Sequence, residues 1–158
     1  MSPEIMTIVT AMAAKYGLDK NLVLAIIKKE SDGEVYTQRY EPDFRYFFDP
    51  ISFSRRLRIS VETERMCQST SYGLMQVMGA VFRERGFVRY LAECFDPVIN
   101  IEYGCKHLQS FYQRYNNIID AVASYNAGSP RKVPDSNMYI NQHYIDSVLA
   151  HKKKLDGP

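Results

Sequence analysis

The sequence predicts a mainly α-helical domain, and three observations support this fold class. Apolar residues recur at helical spacing along most of the chain. Ser or Asp residues, some followed directly by Pro, stand where helices should begin, and glycines stand where several should end. No internal repeat or low-complexity segment is present. A chain of 158 residues can bury a real core, so we expect one domain over residues 1–158 with about six to eight helices.

Capping residues mark the ends of the predicted helices. The first should begin after Ser2, with Pro3 in its first turn, and end at Gly17, while Asp19 should cap a second helix over about 20–32. The other predicted elements are, in order, an insertion over 33–70, a turn at Gly73 with a helix ending near Gly86, a short helical piece at 87–95, and helices over 96–115, 117–130 and 137–154. The helix after Asp96 and Pro97 should turn this face inward: Ile101, Gly104, Cys105, Leu108 and Tyr112.

The insertion over 33–70 has no clear long period, and it is rich in aromatic residues and arginines. Short helices or a β-ribbon would suit it, and long segments of this kind often lie beside a functional site. Its aromatic and basic residues include Tyr40, Phe44, Tyr46, Phe47, Phe48 and Phe53, with Arg39, Arg45, Arg55 and Arg56. The insertion would form either one wall of a cleft or a small subdomain with its own core.

Charge and cysteine content narrow the possible ligands. A net charge of +2 does not by itself indicate nucleic-acid binding, and we interpret the basic runs at 54–58 and 151–154 as solvated surface. A small helical nucleic-acid binder that uses these runs remains an alternative. The three cysteines form no CxxC or Cys/His cluster, so we expect no metal and no cofactor. Cys94 and Cys105 would be reduced thiols, or a bridge if the protein acts outside the cell.

The first apolar run, "IMTIVTAMAA" at 5–14, is better interpreted as a helix than as a signal peptide, because Glu4 and no Lys or Arg precedes it. No apolar run approaches the roughly 20 residues of a membrane span. The sequence therefore predicts synthesis in the cytoplasm without an evident signal peptide.

Glu30 is the most informative single residue of the chain. Val23, Ile26, Ile27 and Glu30 share one face of the second helix, so a carboxyl group occupies the last position of a stripe that otherwise resembles core. Apolar neighbours and the negative end of the helix should both raise its pKa. A neutral carboxylic acid in a pocket can donate a proton to a leaving oxygen. The alternative is a structural Glu that reaches solvent or pairs with an arginine of the insertion.

Four short motifs occur in order: "KKESDG" at 28–33, "SYGLMQV" at 71–77, "NIEYG" at 100–104 and "SYNAGS" at 124–129. Together they resemble the catalytic domain of the soluble lytic transglycosylases, which are relatives of goose-type lysozyme. The resemblance covers about residues 20–150 and implies a compact, lysozyme-like helical domain. Its implied partner is the glycan strand of peptidoglycan, with no nucleic acid, and we expect a monomer.

The resemblance also implies roles for individual residues. Glu30 would be the single general acid/base, and Asn100 would be structural. Gly73 and Gly128 would permit turn geometry and a close approach of the backbone to the saccharide. The implied substrate-binding residues are Ser31, beside the acid; Met75 and Gln76, lining the cleft; Tyr125 and Asn126, bonding the acid or the N-acetyl group; and Tyr144 on the last helix.

No second carboxylate belongs to the resemblance, although most glycosidases need two. The resemblance therefore implies substrate assistance: the N-acetyl carbonyl of N-acetylmuramic acid stabilises the cation, and attack by the sugar's own 6-hydroxyl forms a 1,6-anhydro product. If Asp32, Asp43 or Asp49 holds a water opposite Glu30, hydrolysis as in goose-type lysozyme results. A non-catalytic peptidoglycan-binding module is a further alternative. The resemblance extends to phage or prophage lysis proteins, which reach the wall by release or injection.

Overall fold

The computed structural model describes residues 1–157, which form eight α-helices, one 3-10 helix and a three-stranded antiparallel sheet. The predicted mainly α-helical, lysozyme-like class is confirmed. The elements are, in order, α1 Pro3–Tyr16, α2 Lys20–Ser31, β1 Gln38–Tyr40, α3 Pro50–Leu57, α4 Val61–Gln68, β2 Thr70–Tyr72, β3 Val77–Met78, α5 Gly79–Glu84, the 3-10 helix Leu91–Phe95, α6 Pro97–Tyr115, α7 Ile118–Ala127 and α8 Gln142–Asp156. Within residues 1–157, no helix has the length and apolar character needed to cross a bilayer.

The two N-terminal helices have the predicted ends. The Ser2 hydroxyl accepts a hydrogen bond from the Ile5 amide, and Gly17 ends α1 in the left-handed conformation with φ 62°. The Asp19 carboxylate accepts from the first amides of α2. These local contacts satisfy backbone groups that a helix end leaves unpaired.

Helix α2 is the central helix of the core. Every residue from Leu22 to Ile27 is buried, since α1 and α8 cover its faces. Helix α6 packs on α1 and α7, and four of its five predicted inner residues are buried. The exception is Tyr112, which is 42% exposed, so that assignment is wrong. Phe111 takes the inner position, because the buried stripe continues three residues after Leu108 rather than four.

The insertion contains both a β-ribbon strand and short helices. Strand β1 pairs antiparallel with β2, with Gln38 opposite Tyr72, and β2 pairs with β3. All three residues of β1 are exposed, so no alternating pattern revealed the strand in the sequence. The segment between β1 and α3 is attached to α4, because the Phe48 backbone exchanges two hydrogen bonds with the Gln68 side chain.

Two predicted helix starts are wrong. The helix expected after Gly73 begins only at Gly79, because residues 73–76 form a turn and Val77–Met78 form β3. Gln76 has φ 47°, which an α-helix does not accommodate. The last helix begins at Gln142 rather than at residue 137, because a bridge between Lys132 and Tyr139 orders the preceding segment.

A buried ion pair fastens the insertion to the rest of the fold. Arg83 of α5 donates to both carboxylate oxygens of Glu64 on α4, at 2.8 and 3.0 Å, and both side chains are fully buried. The Phe53 ring of α3 lies 4.3 Å from the guanidinium carbon. Gln68 adds a hydrogen bond to the Glu64 carboxylate at 2.8 Å. This pair therefore holds α3 and α4 against α5.

Candidate active site

A cleft of about 900 Å³ runs across the molecule beside the end of α2. One wall comes from the insertion and the sheet, and the other from α5, α6 and α7. The insertion wall includes Arg39, Glu41, Asp43, Phe44, Tyr46, Phe47 and Phe48. The helical wall includes Glu84, Arg85, His107, Phe111, Arg114, Tyr125 and Asn126.

Glu30 lines this cleft at the C-terminal end of α2. Burial against apolar neighbours raises the pKa of its carboxyl group above the ordinary value of 4.5. A hydrogen bond from Tyr144 and the charges of Arg39 and Lys29 oppose this effect but do not overcome it. The acid is therefore more readily protonated near neutrality than an exposed glutamate, as the apolar stripe on α2 predicted.

Tyr144 forms a hydrogen bond with the Glu30 carboxyl group. Its hydroxyl donates to Oε1 of Glu30 at 2.6 Å, and the ring is only 8% exposed. Burial and the neighbouring Glu30 charge raise the pKa of the phenol, so the hydroxyl keeps its proton. Tyr144 is not among the residues that line the cleft. The hydrogen bond orients the Glu30 carboxyl group, and the implied contact of Tyr144 with substrate stays a prediction.

Ser31, expected to help position the substrate or the acid, and Met75, expected to line the cleft, are not among the residues that line it, and their roles toward substrate stay predictions. The Ser31 hydroxyl donates to the Leu74 carbonyl at 2.8 Å and is buried, which fixes the end of α2 to the turn at 73–76. The Met75 side chain is fully buried against Gly104 of α6. Both residues shape the backbone around the acid.

Gln76 lies at the cleft, as the resemblance implied, but its amide is largely occupied. Its Nε2 donates to the carbonyls of Thr37 and Gly73, both at 2.9 Å, and its Oε1 accepts from the Ser71 hydroxyl at 2.9 Å. Both amide hydrogens are thus used within the protein. The remaining acceptor capacity of Oε1 is what this side chain can offer to a ligand.

Tyr125 and Asn126 both line the cleft beside the acid. The Tyr125 hydroxyl donates to the Met75 carbonyl at 2.8 Å rather than to Glu30, and the Glu30 charge helps to raise the pKa of this phenol. Asn126 is exposed, and its Oδ1 accepts from Asn141 at 3.0 Å. This hydrogen bond orients the Asn126 amide and leaves its N–H groups for a ligand.

Asn100 has a structural role, in agreement with the sequence-based expectation. Its side chain is fully buried, donates to the carbonyls of Tyr72 and Cys94, and accepts from the Met75 amide at 2.8 Å. A Cβ at Gly73, where φ is 68°, would lie 2.5 Å from the Asn100 nitrogen. The motifs at 71–77 and 100–104 therefore build the turn that carries Gln76.

The insertion contributes a wall of the cleft through residues 39–48, whereas α3 and α4 attach through the Glu64–Arg83 pair. Sequence reasoning missed several residues of the helical wall, among them Arg85, His107 and Arg114. No motif marked them, because they lie on α6 or just after α5 among residues that otherwise suggest surface or core.

The described residues 1–157 contain no group of three His, Cys, Asp or Glu side chains able to hold a metal ion. The thiols of Cys94 and Cys105 are both buried and free. Burial raises the pKa of the Cys105 thiol to about 12, so it is an unreactive, protonated group.

The domain is thus of the mainly helical, lysozyme-like class, and Glu30, desolvated and hydrogen-bonded by Tyr144, lies in its cleft as an acid that can donate a proton to a leaving oxygen. The comparison with known families gives the more particular assignment. The model of the transglycosylase SLT domain family matches residues 7–139, and the chain belongs to that family. Members of this family are lytic transglycosylases that cleave glycosidic bonds in peptidoglycan, so the protein is an enzyme and its substrate is peptidoglycan.

Proposed function

We propose that the protein cleaves the β-1,4 bond between N-acetylmuramic acid and N-acetylglucosamine, with formation of a 1,6-anhydro sugar and with Glu30 as the only general acid/base. One observation carries this proposal. Among residues 1–157, the charged groups that act on the pKa of Glu30 are Arg39 and Lys29, both cationic. A carboxylate close enough to act as a nucleophile would raise that pKa by repulsion.

The reaction needs no water. The Glu30 carboxyl proton passes to the glycosidic oxygen as the bond from that oxygen to the sugar C1 breaks, and N-acetylglucosamine leaves as an alcohol. The N-acetyl carbonyl of the muramic acid residue stabilises the positive charge at C1. The Glu30 carboxylate then takes the proton of the 6-hydroxyl while that oxygen bonds to C1. The acid is restored, and its raised pKa suits both proton transfers.

Two of the three aspartates considered for hydrolysis are engaged elsewhere. Asp32 pairs with Lys28, and Asp49 caps α3 by accepting from the Ser52 amide. Asp43 reaches the cleft wall, but its side chain is fully exposed and lies 3.8 Å from Arg45. Glu41 in the same wall is paired with Arg39 at 2.6 Å. These pairings weigh against a hydrolytic role for Asp32, Asp49 and Glu41, and they support the anhydro-forming reaction to that extent.

The mass of the products tests the proposal. Purified sacculi digested with the protein should release muropeptides lighter by one water molecule than the reducing muropeptides that a muramidase produces. Products with reducing ends would establish hydrolysis instead. Binding to sacculi with no release of soluble fragments would favour the non-catalytic binding module. Digestion with a known muramidase supplies the reference masses.

Replacement of Tyr144 by Phe should move the alkaline limb of the pH–rate profile to higher pH. The Tyr144 hydrogen bond lowers the pKa of Glu30, so its removal raises that pKa further and keeps the acid protonated to higher pH. The maximal rate should fall by about tenfold, because the acid loses its fixed orientation. Tyr139→Phe is a suitable control, since its hydroxyl bonds Asp120 at 2.6 Å and not Glu30. An alkaline limb at unchanged pH would show that the Tyr144 hydroxyl does not affect the pKa of Glu30.

The monomeric state and the route to the cell wall, by phage-type release or injection, stay predictions of the sequence. Gel filtration with light scattering checks the first, and the effect of the protein expressed with and without a membrane-permeabilising partner checks the second.

A further inference from the structure

Two arginines of the helical wall have no acidic partner among residues 1–157. Arg85 follows the last residue of α5, and Arg114 lies in the last turn of α6; both line the cleft. Neither belongs to an ion pair within residues 1–157. By contrast, Arg39 on the opposite wall is paired with Glu41. The helical wall therefore presents to the cleft two cations that form no ion pair within residues 1–157.

The Arg85 guanidinium is held in place by a neutral histidine. Its terminal nitrogen lies 3.3 Å from Nδ1 of His107. Burial and the nearby Arg85 charge lower the pKa of His107 to about 3, so its Nδ1 accepts the hydrogen bond without adding charge. The Nε of Arg85 is buried and has no hydrogen-bond partner among the described residues. Burial closes Nε to a ligand in the cleft, so the terminal nitrogens are the donors that this side chain can offer.

This wall lies close to the acid. The His107 ring packs against Tyr125, with the ring centres 5.4 Å apart, and Tyr125 lies within the electrostatic influence of Glu30. Glu84 also lines the same wall, but it is exposed and forms no ion pair within residues 1–157. The wall thus has two cations for one anion, and it is continuous with the site of bond cleavage.

We propose that Arg85 and Arg114 provide a basic subsite for the carboxylates of the peptide attached to N-acetylmuramic acid. This inference rests on the proposed function. The sugar rings of the strand are neutral, whereas the attached peptide carries free carboxylates. A guanidinium binds a carboxylate through two parallel hydrogen bonds, which gives direction as well as charge. The subsite would make the enzyme favour strands with acidic peptides and would fix the register of the strand relative to Glu30.

The experiment compares two soluble substrates that differ only in charge: peptide-bearing glycan strands, and the same strands with their peptide carboxylates converted to amides. For the wild type, kcat/KM should be about tenfold higher with the carboxylate-bearing strands than with the amidated strands, the size expected for a charge-assisted contact. The ratio should fall towards one in Arg85→Gln and Arg114→Gln. Arg56→Gln is the matched control, because Arg56 is exposed on α3 outside the cleft and its loss changes the net charge equally.

Binding measured with Glu30→Gln protein separates this inference from the proposed function. The dissociation constants of the two substrates give a binding ratio that can be measured without any cleavage. Absence of cleavage by the wild type would refute the proposed function, while a binding ratio that depends on Arg85 would still support the subsite. A wild-type ratio near one, or a ratio unchanged in both arginine variants, would overturn the subsite. Should the variants not fold, added salt provides the test, since it must lower a charge-based wild-type ratio.

Discussion

Replacement of Glu30 by Gln should abolish cleavage of peptidoglycan and, at the same time, make the folded protein more stable at neutral pH. The amide cannot donate and then accept a proton at the glycosidic oxygen, and loss of a general acid/base typically costs 10²–10⁴-fold in rate, so we expect a fall of about 10³-fold. The stability gain arises because burial penalises the charged form of Glu30, and Gln carries no charge.

The pH dependence of this gain has a definite sign. Below the ordinary carboxyl pKa of 4.5, Glu30 is neutral in both the folded and unfolded chain, and the two proteins should differ little. As the pH rises from there to the raised pKa of the folded state, the unfolded wild type ionises first and the wild type loses stability. Above the raised pKa of the folded state, the difference in free energy of unfolding between Glu30→Gln and the wild type stays constant. Thermal melts at several pH values measure it.

Glu34→Gln is the matched control for Glu30→Gln, because Glu34 is exposed in the loop that follows α2. It should keep both the activity and the melting temperature of the wild type. Retained turnover in Glu30→Gln would contradict the assignment of the acid. A lower melting temperature at pH 7 would show instead that the carboxylate stabilises the fold.

Replacement of Glu64 by Gln should lower the free energy of unfolding by about 3–5 kcal/mol, the usual cost of breaking a buried ion pair by removing one partner. Gln keeps the size of the side chain and can still accept one hydrogen bond, but it leaves the charge of Arg83 buried without compensation. Because this pair fastens α3 and α4 to α5, the insertion wall of the cleft should loosen as well. Urea titration measures the first effect.

Two further variants distinguish the uncompensated charge of Arg83 from altered packing as the cause of the lost stability. Glu62→Gln removes a charge from the exposed side of the same helix and should change stability by less than about 0.5 kcal/mol. Replacing Glu64 and Arg83 together by Met should recover much of the loss, since no charge then remains buried. A Glu64→Gln protein as stable as the wild type would show that the Arg83 carbonyl contacts alone satisfy the guanidinium.

The sequence motifs located the site more reliably than they assigned its contacts. Glu30, Gln76, Tyr125 and Asn126 reach the cleft as expected. Ser31 and Met75 belong to the same motifs, yet their side chains point into the protein and hold the turn at 73–76. A motif records which residues the site needs, and it does not separate those that touch a ligand from those that shape the backbone.

The sequence by itself determined the helix ends at Ser2, Gly17 and Asp19 and the position of Glu30 on the buried stripe of α2. Each of these depends on contacts within a few residues, which helical spacing and capping chemistry govern. The tertiary structure alone decided the surroundings of the acid. Tyr144 reaches Glu30 from 114 residues away, and Arg85 reaches His107 from 22 residues away. Such partners meet only when α2, α5, α6 and α8 have packed, because hydrophobic burial places the helices and their polar side chains then share one cleft.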